Sequence, residues 1–283
     1  MTVNELLILA AAGLFAGILA GFLGIGGGTV LVPLLVALNY APVQAVATSS
    51  LSIVITAISG SFQNWRMGYL SLSQVAGIGF PAVITAQVGV YLAGIFPPPL
   101  LLVTFGLLLW LNIYLVELRK RLTAKNLVEE VRKNSQLPIT NYPLPITNDQ
   151  LPKDSNVLVN PIFARIATGS AAGLLAGLFG VGGGVIMVPL QILLLGESIK
   201  RAIQTSLGVI AITAISATAG HAARGNVLWV VGLILGGGGL LGVQVSTRFL
   251  PRLSDRVVSL AFRSLLAILS IYVFWQAWQK FHN

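Results

Sequence analysis

The sequence predicts an all-α integral membrane protein of two five-segment repeats, each with a short helix set off by a glycine break. Three observations carry that expectation. The 283-residue chain is 55% apolar and only 9% charged, against about 25% charged residues in an ordinary soluble domain. Its apolar runs reach membrane-spanning length and fill most of the chain. One stretch also occurs twice. Gly17-Ile-Leu-Ala-Gly-Phe-Leu-Gly-Ile-Gly-Gly-Gly-Thr-Val-Leu-Val-Pro-Leu34 returns 156 positions later as Gly173-Leu-Leu-Ala-Gly-Leu-Phe-Gly-Val-Gly-Gly-Gly-Val-Ile-Met-Val-Pro-Leu190, keeping every glycine, the alanine between them and the Pro-Leu pair. A soluble domain of this length cannot bury so much apolar surface.

The segments run at about 6–24, 28–39, 43–63, 70–93 and 98–117, then 162–180, 184–195, 200–220, 226–247 and 258–279. In the first segment of each half, Gly13, Gly17 and Gly21, and Gly169, Gly173 and Gly177, recur every four residues. That stripe lets another helix approach closely. The triple glycines that follow are a different signal. Each glycine disfavours an undisturbed helix by up to about 1 kcal/mol relative to alanine. The second segment is short: Thr29 to Leu38 is ten residues, about 15 Å of helix against a hydrocarbon core about 30 Å thick. Pro33 and Pro189 are candidate bends within these short helices.

The third segments carry Thr48-Ser49-Ser50-Leu51 and Gln204-Thr205-Ser206-Leu207, again 156 apart. Beyond them the offset grows by one residue: Thr56-Ala-Ile-Ser59 matches Thr213-Ala-Ile-Ser216, and Gln87 matches Gln244. Two membrane repeats, 1–117 and 161–283, are therefore expected around a polar linker at 118–160. That linker contains a proline-bearing seven-residue tandem, Leu137-Pro-Ile-Thr-Asn-Tyr-Pro and Leu144-Pro-Ile-Thr-Asn-Asp-Gln. Prolines at that density do not support a helix, so it is expected to be disordered.

Charge orients the repeats. With five crossings per half and a cytoplasmic linker, 15 of the 17 Lys and Arg residues fall inside, and only Arg224 and Lys280 lie outside. Counting each broken pair as one crossing moves Lys200, Arg201, Arg248, Arg252, Arg256 and Arg263 outside. The positive-inside rule thus favours inverted repeats with both termini outside. The formal charge of +9 marks cytoplasmic loops rather than a nucleic-acid surface. Without cysteine there are no disulfides and no Cys-based metal site. The first residues, Met1 to Glu5, lack Lys and Arg and look like a retained helix rather than a removed signal peptide.

The glycine breaks are the candidate binding site. Unwound backbone at membrane depth is tolerable only where it lines protein or a watery cavity. The helix that restarts after Gly28 offers free N–H groups and a positive dipole end, which suit an anion. Gly24, Gly26, Gly27 and Gly28, with Gly180, Gly182, Gly183 and Gly184, would then hold a small oxyanion without a buried Lys or Arg. Thr48, Ser49, Ser50, Gln204, Thr205 and Ser206 are candidate polar contributors. Asn64, Gln87, His221 and Gln244 are candidates for a path or for ion coupling. All eight acids (Glu5, Glu117, Glu129, Glu130, Asp149, Asp154, Glu197 and Asp255) fall near segment ends or in loops. That argues against a cation carrier or a carboxylate proton relay. No phosphate loop follows a strand, and no HExxH, acidic pair or Ser/His dyad is present, so nucleotide binding and enzyme activity are not expected.

The sequences GFLGIGGGTVLVPLL and GLFGVGGGVIMVPLQ, each followed by a Thr/Ser-bearing segment, resemble the sulfite exporter TauE/SafE family, also called the toluenesulfonate uptake permease family. The resemblance spans roughly 5–117 and 162–280. It implies a multi-pass permease of a prokaryotic-type inner membrane, handling sulfite or other sulfur-containing organic anions, with no cofactor and no metal. Other solutes, or a membrane accessory role in which the glycines serve only packing, are the competing readings. The second half departs from the first at Gly236 to Gly239, where the first has Gly79-Phe-Pro-Ala82.

Overall fold

The computed structural model describes residues 3–114 and 160–282. Helices follow from the sequence signals that start and stop them. They are α1 (Val3–Leu23), α2 (Gly28–Ala37), α3 (Pro42–Arg66) and α4 (Leu72–Ile95), then α5 (Pro98–Tyr114). The second group is α6 (Pro161–Phe179), α7 (Gly184–Leu194), α8 (Ile199–Ala222), α9 (Trp229–Phe249), a 3-10 turn at Leu250–Arg252, and α10 (Asp255–His282). Prolines open α3 and α6, where the missing N–H costs nothing. The side chains of Asn160 and Ser198 cap α6 and α8 by accepting from Ile162 N at 3.0 Å and Arg201 N at 3.3 Å. All ten expected apolar segments are present as helices, and seven are long and apolar enough to cross a membrane. The proline-bearing linker expected at 118–160 lies outside the described residues, apart from Asn160.

Glycine stripes fix the helix pairing. Gly13, Gly17 and Gly21 of α1 meet Leu235, Gly239 and Ser246 of α9 in that order, so the two helices run parallel. Gly169, Gly173 and Gly177 of α6 meet Ile78, Ala82 and Ala86 of α4 in the same way. At most of these positions a side chain would overlap the neighbour's backbone, which is the close approach that small-residue stripes permit.

Two further long helices, α3 and α8, complete a central layer. Alongside α9, α3 is parallel, with Leu51 on Gly232 and Ile55 on Gly236; alongside α4, α8 is parallel, with Gly208 on Val75 and Gly220 on Gln87. Where α3 meets α8 they are antiparallel, with Gly60 touching Leu207 and Asn64 reaching the Gln204 carbonyl at 3.5 Å. Helices α1, α3 and α9 therefore run one way and α4, α6 and α8 the other. Each of α1, α3 and α4 is opposed in direction to its counterpart α6, α8 or α9.

The short helices return the chain. Gly27 lies against Ala16 of α1, and Gly183 against Ala172 of α6. Each short helix thus starts beside the middle of the helix just left and turns back along it. Because α1 and α3 are parallel, the break and α2 together make the return between them, although α2 has only 10 residues. Both α2 and α7 continue through Pro33 and Pro189. Large apolar side chains such as Phe80, Trp110, Ile271 and Trp278 face outward, the surface a lipid-embedded protein presents.

Candidate functional site

The candidate site lies where the two breaks meet. On leaving α1, the chain takes the left-handed conformation at Gly24, Gly26 and Gly27, with φ of 66°, 74° and 77°. On leaving α6 it repeats this at Gly180, Gly182 and Gly183, with φ of 62°, 72° and 77°. Side-chain-bearing residues rarely adopt that conformation, which is why glycines occupy it. Residues 24–28 and 180–184 are all buried.

These breaks lie side by side and antiparallel. Gly28 sits on the Gly180 carbonyl, Gly184 on the Gly24 carbonyl, and Gly26 beside the Val181 carbonyl. Ile53 of α3 and Ile210 of α8 each touch both Gly26 and Gly182, so these two side chains close the crossing from either side. Here α2 and α7 begin, and their leading N–H groups have no carbonyl four residues back in their own helix, although the Val30 N–H turns back to the Gly27 carbonyl at 3.1 Å. No Lys or Arg among the described residues is buried. The positive character at the crossing therefore comes from the two helix starts.

Hydroxyls stitch each break to the opposite half. Ser49 donates to the Gly180 carbonyl at 2.8 Å, and Ser206 donates to the Gly24 carbonyl at 3.0 Å. These are equivalent bonds, yet Ser49 and Ser206 are 157 positions apart, not 156. This corrects the register expected from sequence, which paired Ser49 with Thr205 and Ser50 with Ser206. The extra residue of the second half falls between Gly184 and the start of α8's hydroxyl cluster; α7 has 11 residues where α2 has 10. Consistent with this, Thr48 and Thr205 face the starts of α9 and α4. Thr48 accepts from Leu228 N at 3.1 Å, and Thr205 donates to the Gln74 amide oxygen at 3.4 Å.

The other sequence candidates spread over several jobs. Ser50 donates to Val46 O of its own helix at 3.0 Å. Gln204 is buried, and its carbonyl accepts from Asn64. Gln87 donates to Ser216 Oγ at 2.8 Å and Gln244 donates to Ser59 Oγ at 2.8 Å. Those amides fasten α4 to α8 and α9 to α3. His221 is fully buried, with Nε2 3.0 Å from the Gly177 carbonyl just upstream of the second break. In this conformation the candidate hydroxyls and the Asn64, Gln87 and Gln244 amides are thus engaged with backbone or with neighbouring side chains.

Several residues escaped the sequence reading. Thr29 Oγ1, in the first turn of α2, and Ser52 Oγ on α3 are buried without a hydrogen-bond partner. Their counterparts Val185 and Val209 are apolar. Glu197, expected to be an ordinary loop acid, is only 9% exposed. Gln74 Nε2 donates to its Oε1, and Gln74 in turn accepts from Thr205. Burial pushes the Glu197 carboxyl above its usual range, against the opposing pull of Arg201, the Gln74 hydrogen bond and Arg165. Glu197 thus lies at a segment end, where the sequence puts it, yet it is shielded from water. Nothing in the loop sequence Gly196-Glu197-Ser198 signals burial, because it is imposed by α4 and α6 folding over that turn.

The whole architecture has relatives. The family model for sulfite exporter TauE/SafE matches residues 9–273. This chain belongs to the sulfite exporter TauE/SafE family. Full-length relatives agree with that assignment. A Bacillus subtilis (strain 168) protein named "Probable membrane transporter protein YunE" is 24% identical over 279 residues, covering 95% of this chain and 97% of its own. A Xylella fastidiosa (strain 9a5c) protein named "Probable membrane transporter protein" is 25% identical over 98% of both chains. A Haemophilus influenzae relative with the same name is 35% identical over 116 residues, 38% of this chain and 44% of its own. No solved structure matches. With seven spanning-length helices among the described residues, this TauE/SafE family member is a multi-pass integral membrane protein of a transporter family.

Proposed function

We propose that the protein is a secondary transporter of a bacterial plasma membrane that moves a small sulfur-containing anion, such as sulfite or an organosulfonate, by alternating access. The single observation that carries this reading is the antiparallel apposition of the two breaks. It brings the positive ends of α2 and α7 to one buried crossing that holds no basic side chain, an arrangement suited to a compact anion. The opposed directions of equivalent helices support two inverted repeats, the symmetry on which alternating access is commonly built. Substrate would enter as Ile53 and Ile210 withdraw from the crossing. The unpaired Thr29 hydroxyl is the side-chain donor nearest the start of α2. A negative interior favours anion efflux by about 2.3 kcal/mol per charge per 100 mV, which supports export as the direction.

Sulfite flux in proteoliposomes, with and without an imposed potential, tests this. Saturable flux that responds to the potential is expected. Thr29→Val, which installs the residue found at the equivalent position Val185, should raise the half-saturation concentration severalfold while leaving expression unchanged. Uptake of a larger sulfonate alone would change the substrate, and absence of flux for every anion would overturn the reading. The tight seating of Gly28 on Gly180 and of Gly184 on Gly24 favours one competitor, an accessory protein whose breaks serve packing. That reading requires no flux and a co-purifying partner.

A further inference from the structure

We propose that Glu197, with Gln74 and Thr205, forms a proton-binding site that controls whether one end of the transport path is open. Three starting helix ends converge there. Gln74 lies in the first turn of α4, Arg165 near the start of α6, and Thr205 in the second turn of α8. Glu197 lies in the turn that leads into α8. Because α4, α6 and α8 run parallel, these residues sit at one and the same end. By the positive-inside rule this is the cytoplasmic end.

The hydrogen bonds have a fixed sense. Thr205 donates to Gln74 Oε1, and Gln74 Nε2 donates to Glu197 Oε1. The charged groups facing the carboxyl are Arg201 on α8 and Arg165 on α6. Adjacent Lys200 sends its ammonium to the Pro251 carbonyl at 3.2 Å. The acid is therefore clamped between α4 and α8 and shielded from water, although it lies outside the helices.

Burial disfavours the charged carboxylate more strongly than Arg201, Gln74 and Arg165 favour it. A state that hydrates Glu197 therefore binds the proton more weakly than the closed state does. Linkage then gives the sign: acidification favours the closed arrangement, and loss of the proton favours opening. The step is a simple proton transfer. An oxygen of Glu197 takes a proton from hydronium, leaving water and the neutral acid, and returns it to cytoplasmic water as hydronium once that end opens. Coupling to solute follows because the same opening of α4 against α8 gives access to the crossing. This last link rests on the transporter reading above; the switch itself does not.

The test uses the absence of native cysteine. Val75, next to Gln74 and in contact with Gly208 of α8, is replaced by cysteine as the sole thiol in full-length protein in lipid nanodiscs. Its rate of modification by a charged maleimide is normalised to denatured protein at each pH. Modification is expected to be severalfold faster at mildly alkaline than at mildly acidic pH. In Glu197→Gln, the neutral mimic, it should be slow at both. A rate independent of pH in the parent, or a pH response retained in Glu197→Gln, overturns the proposal. Leu70→Cys, on the same contact with Gly208, serves if Val75→Cys does not fold. In proteoliposomes, Glu197→Gln should lose acceleration of sulfite flux by a pH gradient, and retained acceleration overturns the coupling. A pH-switched thiol in a protein that carries no sulfite would support the switch and sink the sulfite reading instead.

Discussion

The two glycine breaks match glycine for glycine, whereas the helix ends around Glu197 have no counterpart in the first half. At the breaks, left-handed glycines, reciprocal serine bonds and the Ile53 and Ile210 side chains all recur. At the helix ends, Gln74, Arg165 and Arg201 are replaced by Val231, Leu9 and Gln44 at the equivalent positions. Backbone geometry and the serine bonds at the breaks are thus equal in both halves, while the polar side chains around Glu197 are not. Under the proposed alternating-access reading, the crossing would be reached from either side of the membrane with similar contacts, and the unmatched end would distinguish the two sides.

Substitutions in matched pairs sharpen this comparison. The largest effect is expected at Gly17 and Gly173, where a side chain meets the Gly239 and Ala82 carbonyls. Either residue changed to leucine should abolish recovery of monodisperse protein, since overpacking alone costs about 1–3 kcal/mol before the parallel helices separate. Unequal loss would break the equivalence of α1·α9 and α4·α6.

Next come Ser49→Ala and Ser206→Ala. Each strips a buried glycine carbonyl of its cross-half donor and should destabilise the protein by about 1–3 kcal/mol, read as a fall in thermal midpoint. Ser206 also donates to Ile203 O at 2.8 Å, but that bond is local to α8, so the two losses should agree. A neutral result at one position would show that the breaks are not held alike.

The smallest effect concerns pH. Burial raises the Glu197 pKa above 4.5, so the folded protein binds this proton more tightly than the unfolded chain. The resulting stabilisation is fully present below the ordinary carboxylate value and is lost as pH rises through the raised one. Glu197→Gln should flatten that part of the stability profile, measured by thermal unfolding across mildly acidic pH. A slope of the opposite sign would show that Arg201 and Arg165 outweigh burial.

Legibility differed by residue. The breaks were readable because the glycine run recurs with its surroundings in both halves; consecutive glycines alone do not decide it, since Gly236 to Gly239 continue α9 as helix. The stripes at Gly13 and Gly169 were readable as packing surfaces, though not which helix fills them. The hydroxyl register was misread by one residue, because a single insertion near α7 leaves the local Thr-Ser pattern looking aligned at either offset. Thr29 passed unnoticed within an otherwise apolar helix, and only its unpaired oxygen singles it out. Gln87 and Gln244 matched as a repeat pair, but their use as clamps depends on Ser216 and Ser59 from distant segments.

By itself, the sequence determined what periodicity, composition and glycine conformation determine: ten helices, a membrane environment, two related halves and two unwound breaks. These are properties of single segments in a hydrocarbon solvent that satisfies no backbone group, so each segment must satisfy its own. Tertiary structure decided the antiparallel meeting of the breaks, the commitment of Ser49 and Ser206 to carbonyls, and the burial of Glu197. Each depends on which segments lie side by side. A side chain's solvation and hydrogen-bond partners are set by neighbours more than a hundred residues away, and no local pattern encodes them.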